Sequence, residues 1–265
     1  MFKKPTAQLA LPEFVCLMAL MTALVALAID AMLPALNTIG VQLNVTDPND
    51  VQYIIGVLFL GLGVGQILFG PLSDSIGRKP AIYMGLVLYL AGCALSMVAE
   101  DFNTMLLGRL LQGLGLSGPR VVAMALIRDL YQGREMARVM SFMMSVFIMV
   151  PALAPGIGQL VLWFASWRWI FALLMILGIV IWAWLALRQP ETLSPEKRSR
   201  FHLGDIAKGF WRVFVHPVAI GYTLAAGVIS GAFVAFLSTS QQVLQIQFGA
   251  GDAFPLLFAV LALCL

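Results

Sequence analysis

Gly70-Pro71-Leu72-Ser73-Asp74-Ser75-Ile76-Gly77-Arg78-Lys79-Pro80 is a short charged stretch pinned between two long apolar runs. No charged residue occurs from Val51 to Phe69 or from Ala81 to Ala99. At ~1.5 Å per residue, each run is long enough to cross ~30 Å of hydrocarbon. The stretch therefore reads as a tight hairpin at one membrane face. Gly70 and Gly77 permit the φ values of a turn, Pro71 and Pro80 oppose helix continuation, and Asp74, Arg78 and Lys79 carry charge that has no place in lipid.

Composition extends this reading to the whole chain. Of 265 residues, 61% are hydrophobic and only 11% charged, with a mean hydropathy of +0.94. A soluble domain carries about 25% charged residues, so the fold class is an all-α polytopic membrane protein. The net charge of +3 matters less than where the charges lie. Cys16, Cys93 and Cys264 all fall in apolar runs, which suits buried thiols rather than a disulfide or metal framework. No cofactor and no nucleic-acid partner is indicated. Lys3 and Lys4 precede an apolar run as in a signal peptide, but the run is too long and contains Asp30, so it reads as an uncleaved first span.

Apolar windows fall at 14–36, 51–72, 81–99, 104–126, 139–162, 168–187 and 217–240. A further run begins at Phe254 and reaches Leu265 after ~12 residues, too few to cross, so the chain is expected to be a fragment of a longer protein. Counting bases in the connections places 13 of the 16 Lys and Arg on one side, from Lys3 and Lys4 through Arg78, Lys79 and Arg128 to Arg212, against Arg168 alone on the other. The N-terminus is thus expected in the cytoplasm. Between Arg188 and Pro217 the composition turns polar and basic, with an amphipathic segment over 205–214 suited to a membrane interface. The expected organisation is a six-helix bundle over 1–188, a cytoplasmic linker over 189–216 and the start of a second bundle over 217–265.

Several polar residues fall inside the spans. Arg109 lies among apolar neighbours in the fourth span, where a permanent cation costs at least ~2.5–3.5 kcal/mol, so it should face a polar cavity or a partner. Gln112 and Gly113 share its helical face, the first as a hydrogen-bonding group and the second as a point of close helix approach. Arg120, almost three turns on, reads as an interfacial or interhelical anchor. Asp30 is the one acid placed well inside a span. Desolvation disfavours its ionised form, which is how an intramembrane acid becomes a proton carrier, although a place ~6–9 Å from the outer boundary would leave it hydrated. In the fifth span Pro151 and Pro155 lie four apart and Gly158 follows, predicting a kink or close packing. Gly61 and Gly65 form a small-residue packing face in the second span, and the methionines from Met140 to Met149 suit either ordinary core or an adaptable cavity.

The spacing Gly70-x-Leu72-x-Asp74-x-x-Gly77-Arg78-Lys79 resembles the loop between the second and third spans of major facilitator superfamily transporters. Arg109-x-x-Gln112-Gly113-x-Gly115 is similar to that family's fourth-span motif. Asp30-x-x-Leu33-Pro34 and Arg128-Asp129-Leu130-Tyr131 resemble the bicyclomycin-resistance (Bcr/CflA) branch of drug:proton antiporters. Trp167-Arg168-Trp169 and Pro190-Glu191-Thr192-Leu193 support the match. The fifth span resembles the antiporter motif Gly-Pro-x-x-Gly-Gly imperfectly, since Ala154 and Gln159 stand where glycines are expected and only Pro155 and Gly158 carry over.

The resemblance covers essentially the whole chain and about two thirds of a twelve-span transporter. It implies proton-coupled export of amphipathic small molecules from the bacterial inner membrane by a protein that is monomeric at full length. In that reading Asp30, Arg109, Gln112 and Gly113 line the proton and substrate path, and Gly70, Asp74, Gly77, Arg78 and Lys79 form a conformational lock. A nutrient importer of the same fold and a non-transporting fragment are the competing readings. An enzyme is disfavoured: His202 and His216 lie in or beside the linker, and no His-Glu-x-x-His helix occurs.

Overall fold

The computed structural model describes residues 9–199 and 201–264, so Lys3, Lys4 and Arg200, which entered the charge count, lie outside the described residues. Every regular element among the described residues is helical. Helix α1 (Leu11–Asp30) continues through a 3₁₀ turn (Leu33–Ala35) into α2 (Leu36–Gln42), and together they make the first span. The next five spans are α3 (Tyr53–Ile76), α4 (Arg78–Met97), α5 (Phe102–Leu130), α6 (Gly133–Phe164) and α7 (Arg168–Arg188). After the amphipathic helix α8 (Leu203–Val215) comes the seventh, α9 (Pro217–Gln241), which runs into a π-helical turn (Gln242–Gln247) and then the shorter apolar helix α10 (Phe254–Cys264). Seven helices long and apolar enough to cross a membrane match the seven windows legible in the sequence.

The hairpin read at Gly70 to Pro80 is tighter than its prolines suggest. Helix α3 runs through Gly70 and Pro71 to Ile76, and α4 starts at Arg78, so Gly77 alone, at φ +111°, makes the turn. Pro71 removes one rung of the helix, while the hydroxyls of Ser73 and Ser75 donate to the carbonyls of Gly70 and Leu72 in the same turn. Pro80 sits in the first turn of α4, where backbone N–H groups have no intrahelical acceptor to lose. At the opposite, far end of the bundle Asp101 caps α5 by accepting from the Thr104 amide at 2.9 Å and its hydroxyl at 2.6 Å. Those bonds hold its carboxyl below the ordinary carboxylate range.

Helix α5 is wedged between α3 and α4, and the wedge works because small residues let backbones meet. A Cβ on Gly113 would stand 2.1 Å from the Leu58 carbonyl oxygen of α3, and one on Gly115 would stand 2.2 Å from the Tyr89 amide nitrogen of α4. Neither position has room for a side chain. The packing face read at Gly61 and Gly65 also meets α5, at Leu110 and Ser117. Helix α1 is buried along most of its length, with α6 and α7 against it, while α9 is exposed over nearly all of its surface. Cys93 is buried as expected, but Cys16 is exposed, because it lies on the face of α1 that no other described helix covers.

Candidate functional site

Two clusters emerge from these packings. The first surrounds Gly77 at the joint end of the bundle. Arg78 donates to Asp74, to Ser73 Oγ at 2.9 Å and, through Nε, to Asp129 Oδ2 at 2.9 Å. Its guanidinium thus ties the end of α3 to the end of α5. Glu191, just beyond α7, lies against the N-terminus of α4: its two oxygens accept the backbone N–H groups of Arg78 and Lys79 at 3.0 Å each. A carboxylate there satisfies orphan donors and meets the positive end of the helix dipole. Lys79 in turn donates to the carbonyls of Ala186 and Gln189 at the end of α7. Asp74, Gly77, Arg78 and Lys79, expected to form a lock, lie together around the turn, whereas Gly70 lies within α3 with open space around it and takes no part in the turn. The spacing of the lock motif does not point to Asp129 and Glu191. Their signal was present in Arg128-Asp129 and Pro190-Glu191, which read as supporting matches rather than as partners.

The second cluster lies inside the bundle. Arg109 is fully buried and meets hydrogen-bond partners, one of the two settings that the cost of its charge allows. Its Nε donates to the Ile54 carbonyl of α3 at 3.1 Å and its Nη1 to Gln112 Oε1 at 2.7 Å. The ring of Phe171 on α7 covers it at 5.9 Å. Gln112 passes the chain on, donating from Nε2 to Cys93 Sγ of α4 at 2.9 Å. The close approach at Gly113 brings α3 within reach of the guanidinium, so Nε and Nη1 meet a carbonyl and an amide, while Nη2 is buried with no hydrogen-bond partner among the described residues. Arg120 is half-buried on the same helix.

Asp30 ends α1 and is 2% exposed, with Oδ1 buried and without a hydrogen-bond partner. It is therefore not the hydrated boundary residue that its sequence position allowed. The reason lies in α6: a Cβ on Gly158 would stand 2.0 Å from the carbonyl oxygen of Ala31, so the two helices touch right beside the carboxyl group. The fifth-span motif thus closes over the end of α1, with Pro155 buried in the same stretch and Pro151 half-buried. Among the described residues no hydrogen bond or ion pair joins Asp30 to Arg109. An ionised carboxylate is costly in such a place, and a protonated one is not.

Residues 18–265 match the family model described as Major Facilitator Superfamily. The chain is 30% identical over 233 residues to a bicyclomycin resistance protein homolog of Haemophilus influenzae, covering 87% of this chain and 58% of that protein. It is 33% identical over 252 residues to a chloramphenicol resistance protein of Pseudomonas aeruginosa, covering 91% of this chain and 57% of that one. The chain thus spans about three fifths of the length of these curated relatives. Among solved structures, the human organic anion transporter MFSD10 (TETRAN) superposes with a TM-score of 0.69 at 18% identity, over 96% of this chain and 71% of that one. With seven apolar spans, a charged joint between the second and third, and a match over nearly its whole length, the chain belongs to the major facilitator superfamily, a family of multi-pass membrane transporters and not of enzymes.

Proposed function

We propose that the chain is the proton-coupled part of a drug efflux transporter of the bicyclomycin-resistance type, exchanging protons for amphipathic small molecules across the bacterial inner membrane, with its N-terminus in the cytoplasm. The observation that carries the reading is Asp30: a deeply buried acid with an unpartnered oxygen, placed where α1 and α6 meet. Residues 1–188 form the bundle that carries it, 189–216 the linker and 217–265 the start of the second bundle. Arg109, Gln112 and Gly113 act as a brace that fixes α5 to α3 and α4, while Pro151, Pro155 and Gly158 set the contact that opens and closes over Asp30. The cluster of Asp74, Gly77, Arg78 and Lys79 holds the joint end shut. The names of the relatives support drug export, and a neighbour of the same fold is named as an organic anion transporter.

The test is drug-dependent proton movement in proteoliposomes under an imposed pH gradient, read with a trapped pH dye. Asp30→Asn should abolish the coupled proton signal, and Asp30→Glu should retain part of it. Proton movement unchanged in Asp30→Asn would falsify the assignment, and substrate moving down the gradient together with protons would favour an importer.

A further inference from the structure

Helices α6 and α7 are joined by residues 165–167 alone, yet they barely touch each other. Helix α6 packs on α1 and α10, and α7 packs on α1 and α4. Between them two adjoining cavities open on the outer face of the bundle, of about 370 Å³ and about 300 Å³. Val161, Leu173 and Ile176 line both, so the two form one continuous trough.

Only apolar and aromatic residues line this trough. Its floor is deep: Ile170 and Leu174 are buried there, and it reaches Leu27 and Ala31 of α1. Small residues make the room, Ala31 and Gly158 in one part and Ala165 and Ala172 in the other. The rims, by contrast, are exposed, at Ile157 and Leu160 on α6 and at Ile176 and Val180 on α7. Both helices are long and apolar enough to cross a membrane, so these rims stand in hydrocarbon. At the far end the exposed rings of Phe164 and Trp169 border the mouth, which suits the level of lipid headgroups. From Trp169 to Val180 α7 rises ~17 Å at ~1.5 Å per residue, about half of a ~30 Å hydrocarbon core, or one leaflet.

We infer that this trough is a binding site for one unbranched acyl chain of a phospholipid in the far leaflet, its headgroup end at Phe164 and Trp169 and its methyl end beside Val180. Lipid tails are as apolar as leucine, so no hydrophobic force sets this chain apart from its neighbours in the bilayer. Close contact does: a flexible, unbranched chain follows the floor and recovers the dispersion attraction that an unfilled trough forfeits. Methyl branches hinder that fit, and a solute that must form hydrogen bonds finds no partner along these walls. The chain also lies against Ala31 and Gly158, whose contact stands beside Asp30, and so completes the wall of that acid's surroundings on the lipid side. The inference goes beyond the transport reading above and does not depend on it.

The test is photo-crosslinking of the purified full chain in nanodiscs, with a phosphatidylcholine that carries a diazirine midway along one acyl chain, read by peptide mass spectrometry. Leu173 and Ile176 should take up several-fold more label than Val87 of α4 and Leu107 of α5, which are similarly exposed or more so and lie at similar distances from the far end. Ala172→Phe and Ala165→Leu, which fill the trough at two places, should each lower the label at Ile176 and leave Val87 unchanged. Unlabelled straight-chain lipid should compete for the trough better than a methyl-branched phytanoyl lipid. Equal label in the trough and at Val87 overturns the inference, as does undiminished label in both variants or equal competition by the two lipids. The ratio of label in the unaltered chain requires no substitution, so a variant that fails to fold leaves the test standing.

Discussion

At the joint end of the bundle Arg78 binds Asp74, Asp129 and Ser73, and Glu191 closes the first turn of α4, whereas at the far end α9 meets α3 and the loop before it through Gln52, Gln242 and Asn49. The first contact is held by ions partly withdrawn from water, the second by neutral amides, those of Gln52 and Gln242 half-buried. Charges committed to one another in a partly buried place are hard to separate, since each partner left alone bears the cost of desolvation. Neutral amide bonds exchange for water at little net cost. The contrast teaches which contacts in the molecule are hard to part and which exchange readily for water.

The comparison can be broken by substitution. The largest effect is expected from Arg78→Ala, which leaves Asp74 and Asp129 facing each other without a cation. We predict a loss of ~2–3 kcal/mol in thermal unfolding, below the ~3–5 kcal/mol of a fully buried pair because Asp74 is 54% exposed. A variant as stable as the parent would show that the clamp contributes nothing. Next comes Gly113→Ala, whose methyl group has to displace the Leu58 carbonyl and is expected to cost ~1–3 kcal/mol. Gly63→Ala, with open space around it, should stay within ~0.5 kcal/mol, and equal losses at both positions would argue against close packing as the cause.

At the amide end, Gln242→Leu should cost ~0.5–1.5 kcal/mol, with no dependence on salt. A salt-dependent loss would mean that the far end is not neutral after all. The smallest effect is expected from Arg188→Gln. Its pair with Glu13 at 2.8 Å is exposed, so the unfolding temperature should not move measurably.

Much of this could be read from residue order. Span number followed from the length of apolar runs, because lipid imposes that length on any helix that crosses it. The lock residues were legible too, since their spacing survives in a local motif. Their partners were not, because Asp129 and Glu191 lie 51 and 113 residues from Arg78 and only the packing of α5 and α7 brings them there. Pro71 misled for a local reason: one missing helical bond is a smaller matter than the continuity of a packed helix. The cost of burying Arg109 is legible in its span, but nothing there reveals that the Ile54 carbonyl of another helix accepts a hydrogen bond from it. The π turn at Gln242–Gln247 left no trace that periodicity could detect, as its signature is a change of backbone pitch rather than of composition.

The one-residue joint at Gly77 also sets the rotational phase of two spans. With no slack between α3 and α4, one residue inserted after Gly77 would turn all of α4 by about 100° about its axis. Gly85 and Gly92, which now face α5, would be carried round to another side, and larger side chains would arrive in their place. Most connections between helices absorb such an insertion as a longer loop. Here the chain length of the turn acts as a gear, and α4 can keep its mesh with α5 only at the present count of residues.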